Sequence, residues 1–260
     1  MKLLEIMNYT DKVTKSFQSL LKEFNEQGDI GYCGFKNVYE SLLPEQQKKL
    51  QKITEDRFSS YYQSGSFISI AITFKDPIID LIDSPQNDEP NYETWNKYAS
   101  EYDRINQVLN KIARALALQF EGIPLTATIG GVIEKVKHVS DYFPMVISHR
   151  AIAEQAGLGW RGKNQLIIHE RYSCAIRFAS VIVNLPLTYG SVAASKCGEC
   201  TACEDVCKFI KNRDMLEDYR ENCRRYILFL KSKGIEKDIC GKCIKACYRS
   251  SIFHNQFSLG

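Results

Sequence analysis

Apolar residues recur at helical spacing near the start of the chain. Val13, Phe17, Leu20, Leu21 and Phe24 predict an amphipathic helix over 13–27, with Gly28 as its stop. Gly31, Cys33 and Gly34 make 29–43 read as irregular, and 45–62 reads as a mostly solvated helix. Residues 66–74, SFISIAITF, form a short apolar run rich in β-branched and aromatic side chains, which predicts a buried strand. The polar stretch 83–91 predicts a loop. From 92 to 121, Ile105, Val108, Leu109, Ile112, Leu116 and Phe120 trace the buried stripe of a long helix ended by Gly122. IPLTATI, 123–129, reads as a strand broken by Gly130 and Gly131. Residues 149–156 read as a short helix, and 165–169 and 175–183 as strands joined by the turn Glu170–Ser173. Residues 184–196 connect to a cysteine-rich end.

Helix and strand alternate over the first 190 residues, which predicts an α/β or α+β domain at 1–190 and a second domain at 191–260. The chain has 260 residues, enough to bury about three quarters of the surface its unfolded form exposes. No stretch reaches the roughly 18–20 apolar residues of a membrane helix. The apolar run of MKLLEIMNYTD is broken by Glu5, Asn8 and Asp11, unlike a signal peptide. A cytoplasmic protein with no membrane partner is expected. The net charge of +3 carries little information. The last 70 residues hold 13 basic and 9 acidic side chains and the first 190 hold 21 and 22, so the excess lies among the cysteines, where thiolates would cancel it.

Eight of the ten cysteines lie between Cys197 and Cys247. A disulfide scaffold needs an oxidising compartment, which favours metal. Cys197, Cys200, Cys203 and Cys207 follow C-x2-C-x2-C-x3-C, the spacing of bacterial ferredoxin-type 4Fe–4S ligation, whose fourth cysteine serves the other cluster. Cys240, Cys243 and Cys247 follow C-x2-C-x3-C and lack one ligand, which Cys223 supplies. Cluster A is assigned Cys197, Cys200, Cys203 and Cys247, and cluster B Cys207, Cys223, Cys240 and Cys243. Exchanged fourth ligands would hold the clusters about 10–12 Å apart. Zinc sites favour paired C-x2–4-C hooks, which this run does not form. Cys33 and Cys174 read as buried thiols.

Gly157, Gly159 and Gly162 satisfy G-x-G-x-x-G, but a helical segment precedes them and a strand follows, the reverse of a dinucleotide site. They permit either close approach to a flat ligand or a tight turn that packs Trp160 into the core. His138, His149 and His169 could serve as ligands or proton donors; His149 abuts the glycine block, although lone histidines are most often structural.

HRAIAEQAGLGWRGKNQLII (149–168) resembles the AGLGW-x-GK block of epoxyqueuosine reductases and their short paralogues. RYSCAIRFASVIVNLPL (171–187) resembles the strand and D-x-P-L turn that follow in that family, with Asn184 in place of the aspartate. ENCRRYILFL (221–230) surrounds the lone cysteine, and YASEYDRINQVLNKIARAL (98–116) resembles the helix before the block. The resemblance covers about residues 66–250. It implies an α/β domain that holds cobalamin and a ferredoxin-like domain with two 4Fe–4S clusters, electrons passing through the clusters to cobalt. Gly157, Leu158, Gly159, Trp160, Gly162, Lys163, Asn164 and, beside them, His149 would then bind the cofactor. An electron donor such as ferredoxin or flavodoxin is implied, and tRNA as a partner through queuosine biosynthesis.

The departures are specific. Lys208 and Tyr248 stand where the family usually has proline after the fourth and last cysteines. Asp141, in Asp141-Tyr142-Phe143-Pro144, is the nearest match to the family's proton-donating aspartate, but lies two residues farther from the glycine block. It is either that acid or a surface aspartate. Only 13 residues follow Cys247, without the helical repeats that help full-length members hold tRNA. An enzyme, a cobalamin- and iron–sulfur-dependent reductase, is the first expectation. A plain 4Fe–4S electron carrier, or a paralogue reducing a small molecule or a corrinoid protein without tRNA, is the alternative.

Overall fold

The computed structural model describes residues 2–82, 90–128 and 133–250. The loop expected at 83–91 falls mostly outside the described residues, and so do Gly130 and Gly131. Helix α1 (Lys2–Phe24) leads to strand β1 (Gly28–Gly34), and short helices α2 (Phe35–Ser41), α3 (Pro44–Thr54) and α4 (Phe58–Ser64) lead to strand β2 (Ser66–Thr73). Helix α5 (Asp76–Asp80) precedes the long α6 (Tyr92–Gln119) and the short β3 (Ile123–Leu125). A 3-10 turn (Val139–Met145) runs into α7 (His149–Gln155), the strand pair β4 (Trp160–Arg161) and β5 (Ile167–Ile168), and then β6 (Ile176–Val183). The side chains of Asn91 and Ser148 cap α6 and α7 by accepting from the N–H groups of Thr94 and Ala151. No described helix is long and apolar enough to cross a membrane.

The main sheet has the order β1-β2-β6-β3 with every pair antiparallel, and Ile70 pairs with Ile30 on one side and Ala179 on the other. Strand β2 is buried along its whole length. Ile68, Ile70 and Ile72 face one layer with Val13 and Phe17 of α1 and Ile105, Leu109 and Ile112 of α6. Phe67, on the opposite face, packs with Phe35 and Val38 of α2 and Ile152 of α7. A strand covered on both faces needs apolar residues at consecutive positions, which is why SFISIAITF does not alternate.

Several predicted boundaries move. Residues 29–43, expected to be irregular, instead carry most of β1 (Gly28–Gly34) and all of α2 (Phe35–Ser41). A Cβ on Gly28 would lie 2.0 Å from the carbonyl oxygen of Ala71, so the glycines here permit close strand approach rather than marking a loop. The helix expected at 45–62 is broken where Glu55 takes a left-handed φ of 46° and ends α3. The strand expected at 123–129 pairs only over Ile123–Leu125, and that at 165–169 only over Ile167–Ile168.

Beyond β6, residues 184–201 carry neither helix nor strand. The described remainder is helical: α8 (Ala202–Asp205), α9 (Lys208–Lys211), α10 (Tyr219–Ser232) and α11 (Lys242–Tyr248). The predicted boundary at 190 therefore falls in an extended connector, yet Leu230, Ile235 and Ile239 join the same core as α6 and the sheet. Ile70→Ala should cost roughly 2–5 kcal/mol, as truncation in a closed core does, read as a lower urea midpoint with an unchanged slope.

His149 is buried under the sheet. Its Nε2 lies 2.8 Å from the carbonyl oxygen of Thr126 and its Nδ1 3.0 Å from the Ser180 hydroxyl of β6. A carbonyl can only accept, so Nε2 carries the proton and Nδ1 accepts from Ser180. Burial pushes its pKa down from 6.5 to about 4. Between those values the unfolded chain binds a proton that the folded one does not, so stability should rise with pH from 4 to 6.5, by about 3 kcal/mol in all. Urea unfolding of His149→Gln across that range should lose this component of the slope; an unchanged slope would assign it to other groups.

Candidate functional site

The cysteines are brought together by four short helices. Helix α11 packs on α8, α9 on α8, and α10 on α9. Cys203 on α8 is buried, which raises its thiol to about 11, and Cys247, Cys197 and Cys200 lie close enough to add to that rise. Cys223 on α10 borders an open cavity. Crowding by protein, then the thiols of Cys240 and Cys207, raise it to about 12. Cys243 senses Cys240, Cys223, Cys207 and also Cys203. Cys243 and Cys247 are one helical turn apart on α11, so one face of that helix reaches both groups. Among the described residues, no three His, Cys, Asp or Glu side chains converge as they would around a single metal ion.

The glycine block lies beneath this segment. Gly159 has a φ of +141°, and a Cβ there would sit 2.2 Å from the carbonyl oxygen of Ile168, so it serves the tight β4–β5 pairing. A Cβ on Gly157 would meet the backbone of Ser191, and one on Gly162 the side chain of Ile168. Leu158 packs with Ala71, Ala153 and Ile167. Trp160 clusters with Ile168 and Cys174, and Cys197 and Cys247 pack against that cluster. Its indole nitrogen is buried without a hydrogen-bond partner. The Lys163 ammonium donates to the carbonyl oxygen of Cys200 at 3.0 Å. The Asn164 amide donates to Cys174 Sγ at 3.6 Å. The block thus grips the cysteine segment.

A cavity of about 810 Å³ opens between the α10 helix, the 3-10 turn and the end of the glycine block. Cys207, Cys223, Cys240 and Cys243 form one wall, and Tyr142, Phe143, Leu166 and Tyr219 line much of the rest. Arg150 donates to the carbonyl oxygen of Gln165 at 2.7 Å on its rim, and the Arg220 guanidinium sits 5.3 Å from the Phe143 ring centre. Burial raises the phenols of Tyr142 and Tyr219, so both stay protonated near neutral pH. The segment before the turn is clasped to α10. Glu221 accepts from the Val139 N–H at 2.8 Å, and Arg224, which pulls the Glu221 carboxyl down to about 2, donates to the carbonyl oxygens of Val136 and Lys137.

Of the eight residues expected to bind a cofactor, only Asn164 lines this cavity. Protein groups meet both ring nitrogens of His149, the Ser180 hydroxyl at Nδ1 and the Thr126 carbonyl at Nε2. Asp141 is exposed and is not among the lining residues, while its neighbours Tyr142 and Phe143 are. Its carboxylate accepts from the N–H groups of His138 at 2.9 Å and Lys137 at 3.2 Å, the work of a capping residue. Cys33 is buried and donates to the carbonyl oxygen of Ile152, as its thiol reading anticipates. Sequence reasoning did not single out Ser173, whose hydroxyl donates to Cys247 Sγ at 3.4 Å. The available signal was Cys174, a cysteine placed in the turn and strand that follow the glycine block.

No family model matches the sequence. Over 85 residues, or 32% of this chain, it is 36% identical to an epoxyqueuosine reductase of Pseudomonas aeruginosa, of which it covers 23%. Over 146 residues, or 55% of the chain, it is 27% identical to that of Aliivibrio fischeri, of which it covers 35%. The chain therefore matches about a quarter to a third of the length of these curated relatives. A solved structure of a selenomethionine-labelled epoxyqueuosine reductase superposes with a TM-score of 0.52 at 18% identity, covering 94% of this chain and 66% of the other. In sequence over part of its length, and in fold over nearly all of it, the chain is epoxyqueuosine reductase-like.

Proposed function

We propose that this protein is an iron–sulfur reductase of the epoxyqueuosine reductase type, which delivers electrons through two 4Fe–4S clusters to an acceptor in the 810 Å³ cavity. The observation that carries the reading is the sorting of eight thiols into two groups. Cys197, Cys200, Cys203 and Cys247 would hold cluster A, and Cys207, Cys223, Cys240 and Cys243 cluster B. The thiols fit cubes better than ions. Ligands to a cube bind four separate corners, so they need not converge on one point. The unpartnered Trp160 N–H, in the buried cluster against which Cys197 and Cys247 pack, supports the fit, since a cluster sulfur would supply its acceptor.

Cobalamin, when bound, would supply a strongly reducing cobalt centre, and the cavity suits it in kind: open, lined in part by aromatic rings and walled by the cluster B cysteines. Tyr142, Phe143 and Tyr219 would exclude water from a flat ligand, and Arg150 and Arg220 would meet anionic groups at the rim. The two protonated phenols are the wall's available proton donors. Reduction of an epoxide on a queuosine-type tRNA base is the reaction the relatives' names suggest. One observation favours a second substrate class. The Asp141 carboxylate is engaged in capping outside the cavity, so the same electron path could serve a small molecule or a corrinoid protein without tRNA. A low-potential carrier such as ferredoxin or flavodoxin would supply the electrons.

Anaerobically reconstituted protein should carry about eight irons per chain and should shift the EPR spectrum of added cob(II)alamin to its base-off form. An unchanged spectrum with both clusters present would remove cobalamin from the reading. Cys223→Ala should lose about half the iron, leaving the cluster A signal. Full iron content in that variant would overturn the ligand pairing.

A further inference from the structure

The turn between β5 and β6 places an unusual set of donors at Cys247. Ser173 adopts a left-handed φ of 54°, a backbone conformation that L-residues other than glycine rarely take. The turn is over-determined. The His169 and Ser173 backbones bond reciprocally at 2.8 and 2.9 Å. His169 Nδ1 accepts from the N–H groups of Arg171 and Tyr172, which leaves Nε2 to donate to Asp29 Oδ2 at 3.0 Å. A strained residue held this firmly points to a task. Here the Ser173 hydroxyl donates to Cys247 Sγ at 3.4 Å. The adjacent Cys174 thiol donates to the carbonyl oxygen of Ile244 at 3.9 Å, on α11 one turn before Cys247, and Asn164 donates to Cys174 Sγ from behind at 3.6 Å. The Trp160 indole, 2% exposed, lies in the buried cluster with Ile168 and Cys174 against which Cys197 and Cys247 pack, and its N–H has no hydrogen-bond partner among the described residues.

We propose that Ser173, Cys174 and Trp160 are positioning residues for cluster A, and that together they hold its reduction potential up. The inference rests on the cluster reading above. Reduction adds one electron to a cluster and spreads the negative charge over its sulfurs. Donors aimed at those sulfurs stabilise the reduced form more than the oxidised form, so each one raises the potential. Asn164 acts one step removed, by orienting Cys174.

The test is an EPR-monitored redox titration of the reconstituted full chain, as wild type, Ser173→Gly, Cys174→Ala and Trp160→Phe. Glycine suits the left-handed φ at 173, so Ser173→Gly should be at least as stable as wild type to thermal unfolding. It should still show a downward shift in the cluster A potential. Trp160→Phe keeps most of the ring and should shift cluster A in the same direction, and Cys174→Ala likewise, with cluster B unmoved in all three. Unchanged cluster A potentials at full iron content in Ser173→Gly and Trp160→Phe would overturn the inference and leave the cluster reading standing. Equal shifts in both clusters would overturn it as well, since that marks a global change. A wild-type protein that takes up less than two clusters' iron would instead defeat the underlying reading, and the iron assay shows this before any potential is measured.

Discussion

Strand β2 has no face toward water, and the rest of the molecule is arranged around that requirement. Its even-numbered isoleucines need one helical layer and Phe67 needs another, so α1 and α6 cover one side while α2 and α7 cover the other. Helix α7 is therefore held in place by the sheet, and the glycine block that follows it emerges at a fixed point. From there β4 and β5 place Trp160 in the cluster against which Cys197 and Cys247 pack, and the turn after β5 carries Ser173 to Cys247. Burial of one strand on two sides thus sets the position of the chemistry at the other end of the chain.

Much of this frame was legible because it is periodic. The long helix at 92–121 and the strands at 66–74 and 175–183 fold within two residues of their predicted limits, since each carries a long apolar signal. The parts that misled are those where tertiary contact overrides local preference. Gly28, Gly31 and Gly34 look like a loop and form an edge strand, because the neighbouring backbone comes too close for a side chain. Glu55 gives no warning that it will take a left-handed turn and split a helix.

At the site, spacing was enough to propose a grouping of the cysteines, because cluster-type ligation is encoded in short local intervals. It could not reveal what the glycine block touches. The same small residues that would let a cofactor approach also let two strands and a connector approach, and here they do the second. His149 was similarly ambiguous: adjacency in sequence put it near the block, whereas the sheet turned it inward toward Ser180. Ser173 and Cys174 sit in a turn whose geometry, not composition, aims them.

The cysteine segment shares its core with the sheet. Leu230, Ile235 and Ile239 pack in the same apolar cluster as Trp95 and Tyr98 of α6, and Gly241, between Cys240 and α11, lies against Tyr98 and Ile82. The segment is consequently not a cassette. Transplanting it from one relative into another would require the recipient's α6 face to be recut at the same time, so the cysteine segment and its scaffold in this chain are constrained to change together.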